Sequence, residues 1–252
     1  MRIERAYFLH GQGGRKYQED SAFPASAEEG GALDNRVWLV CDGMGGVSGG
    51  RVASETTCRL AAQWLQASGE KLQADTAQGL CRDFVQQLKV ALQAAADAQE
   101  LPYAMGTTLV GLYLQADRAW ALHCGDSRLY HLRDGWVRWH TRDHSYVNSL
   151  VEEGYITAAE AEKHPKRHVL ARALTAKQEG SDKIDAQPLA DVQAGDWILL
   201  CSDGVYGAFP DKTWFAALQR YSHSPADFLS CVAAEAEAQK GDNYTAWLLV
   251  MG

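Results

Sequence analysis

No apolar stretch in this 252-residue chain approaches the ~18–20 residues needed to span a membrane. The N-terminus, Met1-Arg2-Ile3-Glu4-Arg5, lacks the apolar core of a signal peptide. Basic residues are not in excess: the net charge is −8, which argues against non-specific binding to nucleic acid. The six cysteines include no Cys-x-x-Cys pair, so a zinc site is not indicated. Cys41, Cys124 and Cys201 close apolar runs, and Cys58, Cys81 and Cys231 fall in helical stretches, as reduced, buried thiols of a cytosolic protein would. There is no Gly-Lys-Ser/Thr phosphate loop. No cysteine has an arginine six residues on (Val47 follows Cys41 at that spacing, Tyr130 follows Cys124), so a cysteine-based phosphatase is excluded. Internal repeats and low-complexity linkers are also missing.

What is present is an ordinary soluble composition, 46% apolar and 22% charged, on a chain long enough for a full core. Residues 51–66 put Ala53, Leu60, Ala61, Trp64 and Leu65 on one helical face. Residues 76–99 carry Leu80, Phe84, Leu88, Leu92 and Ala95 in the same way, and 225–239 align Phe228, Val232 and Ala236 behind Pro225. Shorter helices are expected at 146–153, 158–163 and 212–221. Strands are expected at 107–114, 119–124, 129–133 and 136–140, with Asp134-Gly135 as a two-residue hairpin turn. Short turns between successive strands make antiparallel sheet, and paired helices beside it suggest layered α+β packing. Residues 25–31 read as an exposed loop. The polar stretch 154–183 reads either as a cover over a site or as a solvated excursion.

Four apolar runs stop at, or start from, an aspartate beside a small residue. Val37–Cys41 runs into Asp42-Gly43, and 119–124 into Gly125-Asp126-Ser127-Arg128. Trp197–Cys201 runs into Ser202-Asp203-Gly204, and Asp242-Asn243 leads into 244–250. Taken singly, each reads equally well as a turn, and Asp126-x-Arg128 as a local ion pair. Taken together, carboxylates at several strand ends repel one another unless cations sit between them. Hard oxygen ligands without His or Cys favour Mg²⁺ or Mn²⁺. Two such ions ~3.5–4 Å apart would lower the pKa of a water held between them. The stretch Arg15-Lys16-Tyr17-Gln18-Glu19-Asp20 adds an arginine fork suited to phosphate and two further acids. Gly43 can expose its carbonyl as a ligand.

The ordered set Arg15…Glu19-Asp20, Asp42-Gly43-Met44-Gly45-Gly46, Gly106-Thr107-Thr108, Gly125-Asp126-Ser127-Arg128, Asp143-His144-Ser145, Ser202-Asp203-Gly204 and Asp242-Asn243 resembles the metal-dependent protein serine/threonine phosphatases of the PPM (type 2C) family, bacterial branch. The resemblance spans residues 11–250. It implies one phosphatase domain over 1–252, folded as a four-layer α-β-β-α sandwich with two antiparallel sheets flanked by helix pairs. It implies that Asp42 bridges two metals, Mn²⁺ or Mg²⁺. Asp203 and Asp242 complete the first, and Glu19 and the Gly43 carbonyl serve the second. Asp20 would hold metal-bound water, Arg15 would bind the phosphate, and Asp126 would sit at a weaker third ion. The polar stretch becomes the family's variable flap, about 145–183. Met44 stands where animal relatives carry a histidine proposed as general acid, and Gly207 where some relatives have an acidic third-metal residue.

Other motifs carry less. Gly46-Val47-Ser48-Gly49-Gly50 fits an esterase elbow, but Ser48 lies well beyond the strand end. His144 is expected to anchor the flap rather than bind metal. His164 and His168 flank Pro165, which argues against a regular helix there. The eight tryptophans read as packing. The expected function is hydrolysis of phosphothreonine and phosphoserine in proteins, reversing a bacterial Ser/Thr kinase, by a cytosolic monomer. The competing reading is a non-catalytic phosphoprotein-binding module on the same fold. A narrower alternative is a phosphatase for an anti-sigma-antagonist partner.

Overall fold

The computed structural model describes residues 1–27, 34–45, 49–177, 182–209 and 213–252. Parts of several sequence readings lie outside the described residues: Gly46-Val47-Ser48 of the elbow motif, 28–31 of the early loop, 178–181 of the flap, and Lys212.

The chain opens with β1 (Ile3–Gly11), β2 (Asp20–Phe23) and β3 (Val37–Met44), then α1 (Gly49–Ser68) and α2 (Ala77–Ala98). Next come β4 (Gly106–Thr107), β5 (Leu109–Leu114), β6 (Ala119–Cys124), β7 (Arg128–Arg133) and β8 (Trp136–His140). α3 (Tyr146–Glu152), α4 (Ala158–Glu162), β9 (Leu174–Thr175) and β10 (Asp185–Pro188) lead to β11 (Trp197–Cys201). α5 (Asp203–Tyr206), α6 (Thr213–Arg220), α7 (Pro225–Gln239) and β12 (Tyr244–Met251) follow. One five-stranded sheet has the order β1-β12-β11-β7-β8. The second, seven-stranded, runs β10-β6-β5-β3-β4-β9, with β2 paired to β3. The pairings are antiparallel, as the short turns required. Asp134 and Gly135 both have positive φ in the β7–β8 turn, as a primed two-residue hairpin demands.

Strand alternation sorts side chains between layers. In β3, Val37, Leu39 and Cys41 face α1 and α2, whereas Trp38 and Val40 enter the space between the sheets. In β11, Trp197, Leu199 and Cys201 face α6 and α7, while Ile198 and Leu200 turn inward. β12 divides likewise, with Leu248 and Val250 outward and Trp247 and Leu249 inward. Both faces of these strands are covered, which is why they read as unbroken apolar runs rather than alternating ones. The result is the expected four-layer α-β-β-α sandwich.

The local differences have physical causes. The expected strand 107–114 is split, because the Thr108 N–H and the Thr107 hydroxyl both donate to the Asp42 carbonyl. β4 therefore pairs with the glycine-rich end of β3, and β5 with its apolar start. The α2 stripe is rotated slightly from the expected one: Cys81, Phe84, Val85, Leu88, Leu92 and Ala96 are buried. The single-turn α5 and the short strands β9 and β10 have no periodic signal in sequence.

Asp196, 1% exposed, ties the five-stranded sheet together. Its oxygens accept from His131 Nε2 (2.7 Å), Arg133 Nε (2.7 Å) and Nη2 (2.9 Å), and the Gln193 N–H (2.8 Å). Burial pushes its carboxyl up, but the bonds from Arg133, His131 and Gln193 prevail and hold it at about 2. A depressed carboxylate stabilises the fold above its unfolded pKa of ~3.9, and that contribution disappears as pH falls toward the folded value. Asp196→Asn is therefore expected to cost about 2 kcal/mol near neutral pH. Urea midpoints measured down to about pH 2.5 should show the gap to the parent protein closing. A gap of constant size would refute the assignment.

Candidate metal centre

Strand polarity alone brings the acids to one rim. β11 runs antiparallel to both β7 and β12, with Cys201 opposite Arg128 and Ala246. The end of β11, the start of β7 and the start of β12 therefore coincide, and with them Asp203, Asp126 and Asp242. In the other sheet, Asp20 at the start of β2 lies directly opposite Asp42 near the end of β3. The β5–β6 pair, with Leu109 opposite Cys124, carries the Asp126 turn to the same end.

Neutral polar groups fix the backbone around these acids. Asn243, buried, is the central one: its Oδ1 accepts from the Glu19 N–H (2.8 Å), and its Nδ2 donates to the Gln12 (2.8 Å) and Tyr17 (3.0 Å) carbonyls. One amide thus ties the 12–19 loop to the start of β12. Ser202 donates to Asp20 Oδ2 (2.8 Å) and accepts from the Thr245 N–H (3.0 Å). The Asp42 N–H donates to Thr108 Oγ1, which is also bonded to Ser127 Oγ. Asn243, Ser202 and Thr108 all lay inside motifs quoted from the sequence, but composition marked the first two only as turn residues and Thr108 only as part of a strand. Their partners lie far off in the chain and could not be read from it.

Gly43 is required by close approach. A Cβ there would lie 2.2 Å from the Gly50 carbonyl oxygen and 2.6 Å from that of Glu19. A Cβ on Gly50 would in turn sit 2.5 Å from Glu19 Oε1 and 2.8 Å from the Gly43 carbonyl oxygen. These two oxygens, assigned by the resemblance to one ion, are therefore close neighbours.

Arg15 reaches the cluster from the loop side, half exposed, and its Nη2 pairs with Asp242 Oδ2. Burial opposes its charge, but Asp242, Asp203 and Asp42 together hold the guanidinium firmly protonated. Arg128 behaves otherwise. It makes a bidentate pair with Asp143 (2.8 and 2.7 Å), bonds Tyr130 Oη and stacks 3.6 Å over the Tyr206 ring. The local Asp126–Arg128 ion pair allowed by the sequence is thus replaced by Arg128–Asp143. Tyr206 Oη donates to the Asp126 carbonyl (3.0 Å), so the backbone of this turn is held from two sides. All eight residues singled out by the resemblance (Arg15, Glu19, Asp20, Asp42, Gly43, Asp126, Asp203 and Asp242) lie along this rim.

Among the described residues one compact trio of potential ligands lies apart from it: His123, His144 and Asp185. His144 Nδ1 accepts from the Gly125 N–H, so its Nε2 carries the proton donated to Asp185 (3.0 Å). Asp185 also accepts from Arg172 and Lys183, and His123 Nε2 bonds the Arg142 carbonyl. These donors and acceptors are already matched to one another. The trio is a hydrogen-bonded tie between the Asp126 turn, β10 and the end of the flap, in line with an anchoring His144.

The rim acids, by contrast, are unbalanced. Burial, followed by repulsion from Asp20, Asp203, Asp126 and Asp242, pushes the Asp42 carboxyl well up. Burial lifts Asp20 to about 7 against the Ser202 and Thr245 hydroxyls. Burial and Asp203 lift Asp126 to about 7, and burial and Asp242 raise Asp203 against a hydrogen bond with Asp42 and the charge of Arg15. Glu19 Oε1, Asp20 Oδ1 and Asp203 Oδ1 are buried with no hydrogen-bond partner among the described residues. Buried carboxylate oxygens without donors are costly unless a cation meets them, so this donor set fits hard divalent ions. Mn²⁺ at a hundredfold excess over its dissociation constant should stabilise the protein by about 2.7 kcal/mol and raise its melting temperature by several degrees. EDTA should reverse the rise. Asp42→Asn should remove it while leaving the metal-free protein at least as stable, since one repelling charge is gone. A metal-independent melting temperature in the parent protein would refute the assignment.

The family model for Protein phosphatase 2C matches residues 17–240. The serine/threonine protein phosphatase PstP of Mycobacterium tuberculosis is 37% identical over 191 residues, covering 73% of this chain and 34% of PstP, so the match spans about a third of that relative's length. The serine/threonine phosphatase stp of Listeria welshimeri is 32% identical over 188 residues, 73% of each chain. The crystal structure of M. tuberculosis PstP superposes with a TM-score of 0.78 at 29% identity, covering 100% of this chain and 99% of that one. A PstP catalytic domain in complex with two manganese ions gives 0.72 at 29% identity, over 99% of each. The match across most of its length, to relatives of the same fold, shows that this chain belongs to the protein phosphatase 2C family.

Proposed function

We propose that this chain is a metal-dependent protein phosphatase that hydrolyses phosphothreonine and phosphoserine at a binuclear Mn²⁺ or Mg²⁺ centre. The observation that carries this reading is the set of buried, partnerless carboxylate oxygens beside the exposed Arg15 guanidinium. Asp42, Asp203 and Asp242 would hold one ion, and Asp42, Glu19 and the Gly43 carbonyl the other. Asp126 would hold a weaker third. When bound, the ions supply Lewis-acid charge to the phosphoryl oxygens and acidify water.

The remaining steps fall to the chain's own groups. Arg15 swings between Asp242 and the phosphate, and its fork matches two phosphoryl oxygens. Asp20, with Oδ2 fixed by Ser202 and Oδ1 unpartnered, orients water for in-line attack. Met44 offers no acidic proton, so this side chain does not protonate the leaving group. Asp42, Asp203 and Asp242 are all present, which favours catalysis over a phosphoprotein-binding module. No helix among the described residues is long and apolar enough to cross a membrane. The finer reading is a cytosolic monomer opposing a Ser/Thr kinase.

Turnover of p-nitrophenyl phosphate and of a phosphothreonine peptide is expected with Mn²⁺ and not with EDTA. Asp42→Asn should lower kcat by a factor of roughly 10³ or more, the scale of losing electrostatic stabilisation of the transition state. Arg15→Ala should raise KM by about tenfold, worth ~1.4 kcal/mol of phosphate binding. EDTA-resistant hydrolysis, or activity retained by Asp42→Asn, would contradict the mechanism.

A further inference from the structure

The flap carries a charge pattern that the metal centre does not use. Lys163-His164-Pro165-Lys166-Arg167-His168 holds three permanent cations, two histidines and no acid, in a chain of net charge −8. Lys163, Lys166, Arg167 and His168 are exposed. Among the described residues Lys163, Lys166 and Arg167 form no ion pair, and Lys166 Nζ lies 5.3 Å from the centre of the Tyr146 ring. The segment is an ordered turn: Lys166 N–H donates to His164 Nδ1, Arg167 N–H to the His164 carbonyl, and Val169 N–H to the Lys166 carbonyl.

The base of this turn is tethered to the Asp126 end of the rim of acids. At its base, Tyr146 N–H donates to the Val169 carbonyl and Ser145 bridges Leu170, while the adjoining His144 is bonded through both its backbone and its ring to Gly125, next to Asp126. Arg15 reaches the same rim at Asp242. Uncompensated cations beside a site for phosphate monoesters attract further negative charge on the same substrate.

We propose that the turn Lys163-His164-Pro165-Lys166-Arg167-His168 selects phosphoprotein segments that carry additional anionic side chains, phosphate or carboxylate, within about four residues of the phosphorylated one, a reach of ~7–14 Å along extended chain. The inference rests on the phosphatase reading and names its substrate class. Lys166 and Arg167 are the specificity-determining residues. Each makes an exposed charge contact, and two or three together amount to about five- to tenfold in kcat/KM at low salt, fading as salt screens them.

The test compares phosphothreonine peptides flanked by glutamate, by a second phosphothreonine, by alanine and by lysine. Hydrolysis of p-nitrophenyl phosphate by the parent protein is measured in parallel. The expected order is anionic over alanine over lysine, with the ratio shrinking at high salt. A preference confined to the doubly phosphorylated peptide would support the proposal and identify the contact as a phosphate fork. In the Lys166→Glu/Arg167→Glu double variant the preference should invert toward the lysine-flanked peptide, which a merely structural role for these side chains would not produce. An active enzyme that treats anionic and alanine peptides alike, or a variant with the parental ratio, overturns the inference alone. Absence of p-nitrophenyl phosphate turnover overturns the phosphatase reading and the inference with it.

Discussion

Crowding of carboxyl groups at one rim of a β-sandwich is the constraint around which the rest of this structure is arranged. Two unit charges 4 Å apart repel by about 4 kcal/mol at the effective dielectric of a protein surface. Burial and mutual repulsion together raise Asp42, Asp203, Asp20 and Asp126 above the usual carboxylate range. They stay together because each sits at the end of a strand whose remainder is locked between two apolar layers. The sheets supply the positions, and Arg15 and bound cations relieve the charge.

The groups that shape the rim are neutral, and this has a chemical logic. Asn243, Ser202, Thr107 and Thr108 satisfy backbone and carboxylate atoms without cancelling charge. Glu19, Asp20 and Asp203 are each left with an oxygen that has no partner among the described residues. A lysine or arginine in those places would have balanced the charge and closed the site. Arg15 approaches from the exposed side, where its Nη2 pairs with Asp242. Arg128, the other nearby cation, is withdrawn by Asp143 and Tyr206.

The flap joins the same rim through His144. Its ring and backbone connect the Asp126 turn to Asp185 and to the segment that returns from the basic turn. Asp126, the acid assigned by resemblance to the weakest ion, is thus also the one most directly coupled to the variable part of the molecule.

Much was legible in sequence, for identifiable reasons. The helices at Gly49–Ser68, Ala77–Ala98 and Pro225–Gln239 showed their apolar stripes because each packs one face on a sheet. The apolar runs ending in Asp42 and Asp203 were plain because strands covered on both faces need no polar residue until they emerge at the rim. The identities and order of the acids pointed to hard cations and to the family. Residue order could not disclose which acids meet, because Asp20 and Asp42 meet through strand register, and Asp203 and Asp242 through the adjacency of β11 and β12. Nor could it show that Arg128 would choose Asp143, that Asn243 would clamp the 12–19 loop, or that the base of the basic turn would be tethered to the Asp126 turn. Those outcomes depend on contacts between segments far apart in the chain, and only the packed sheets bring them within reach.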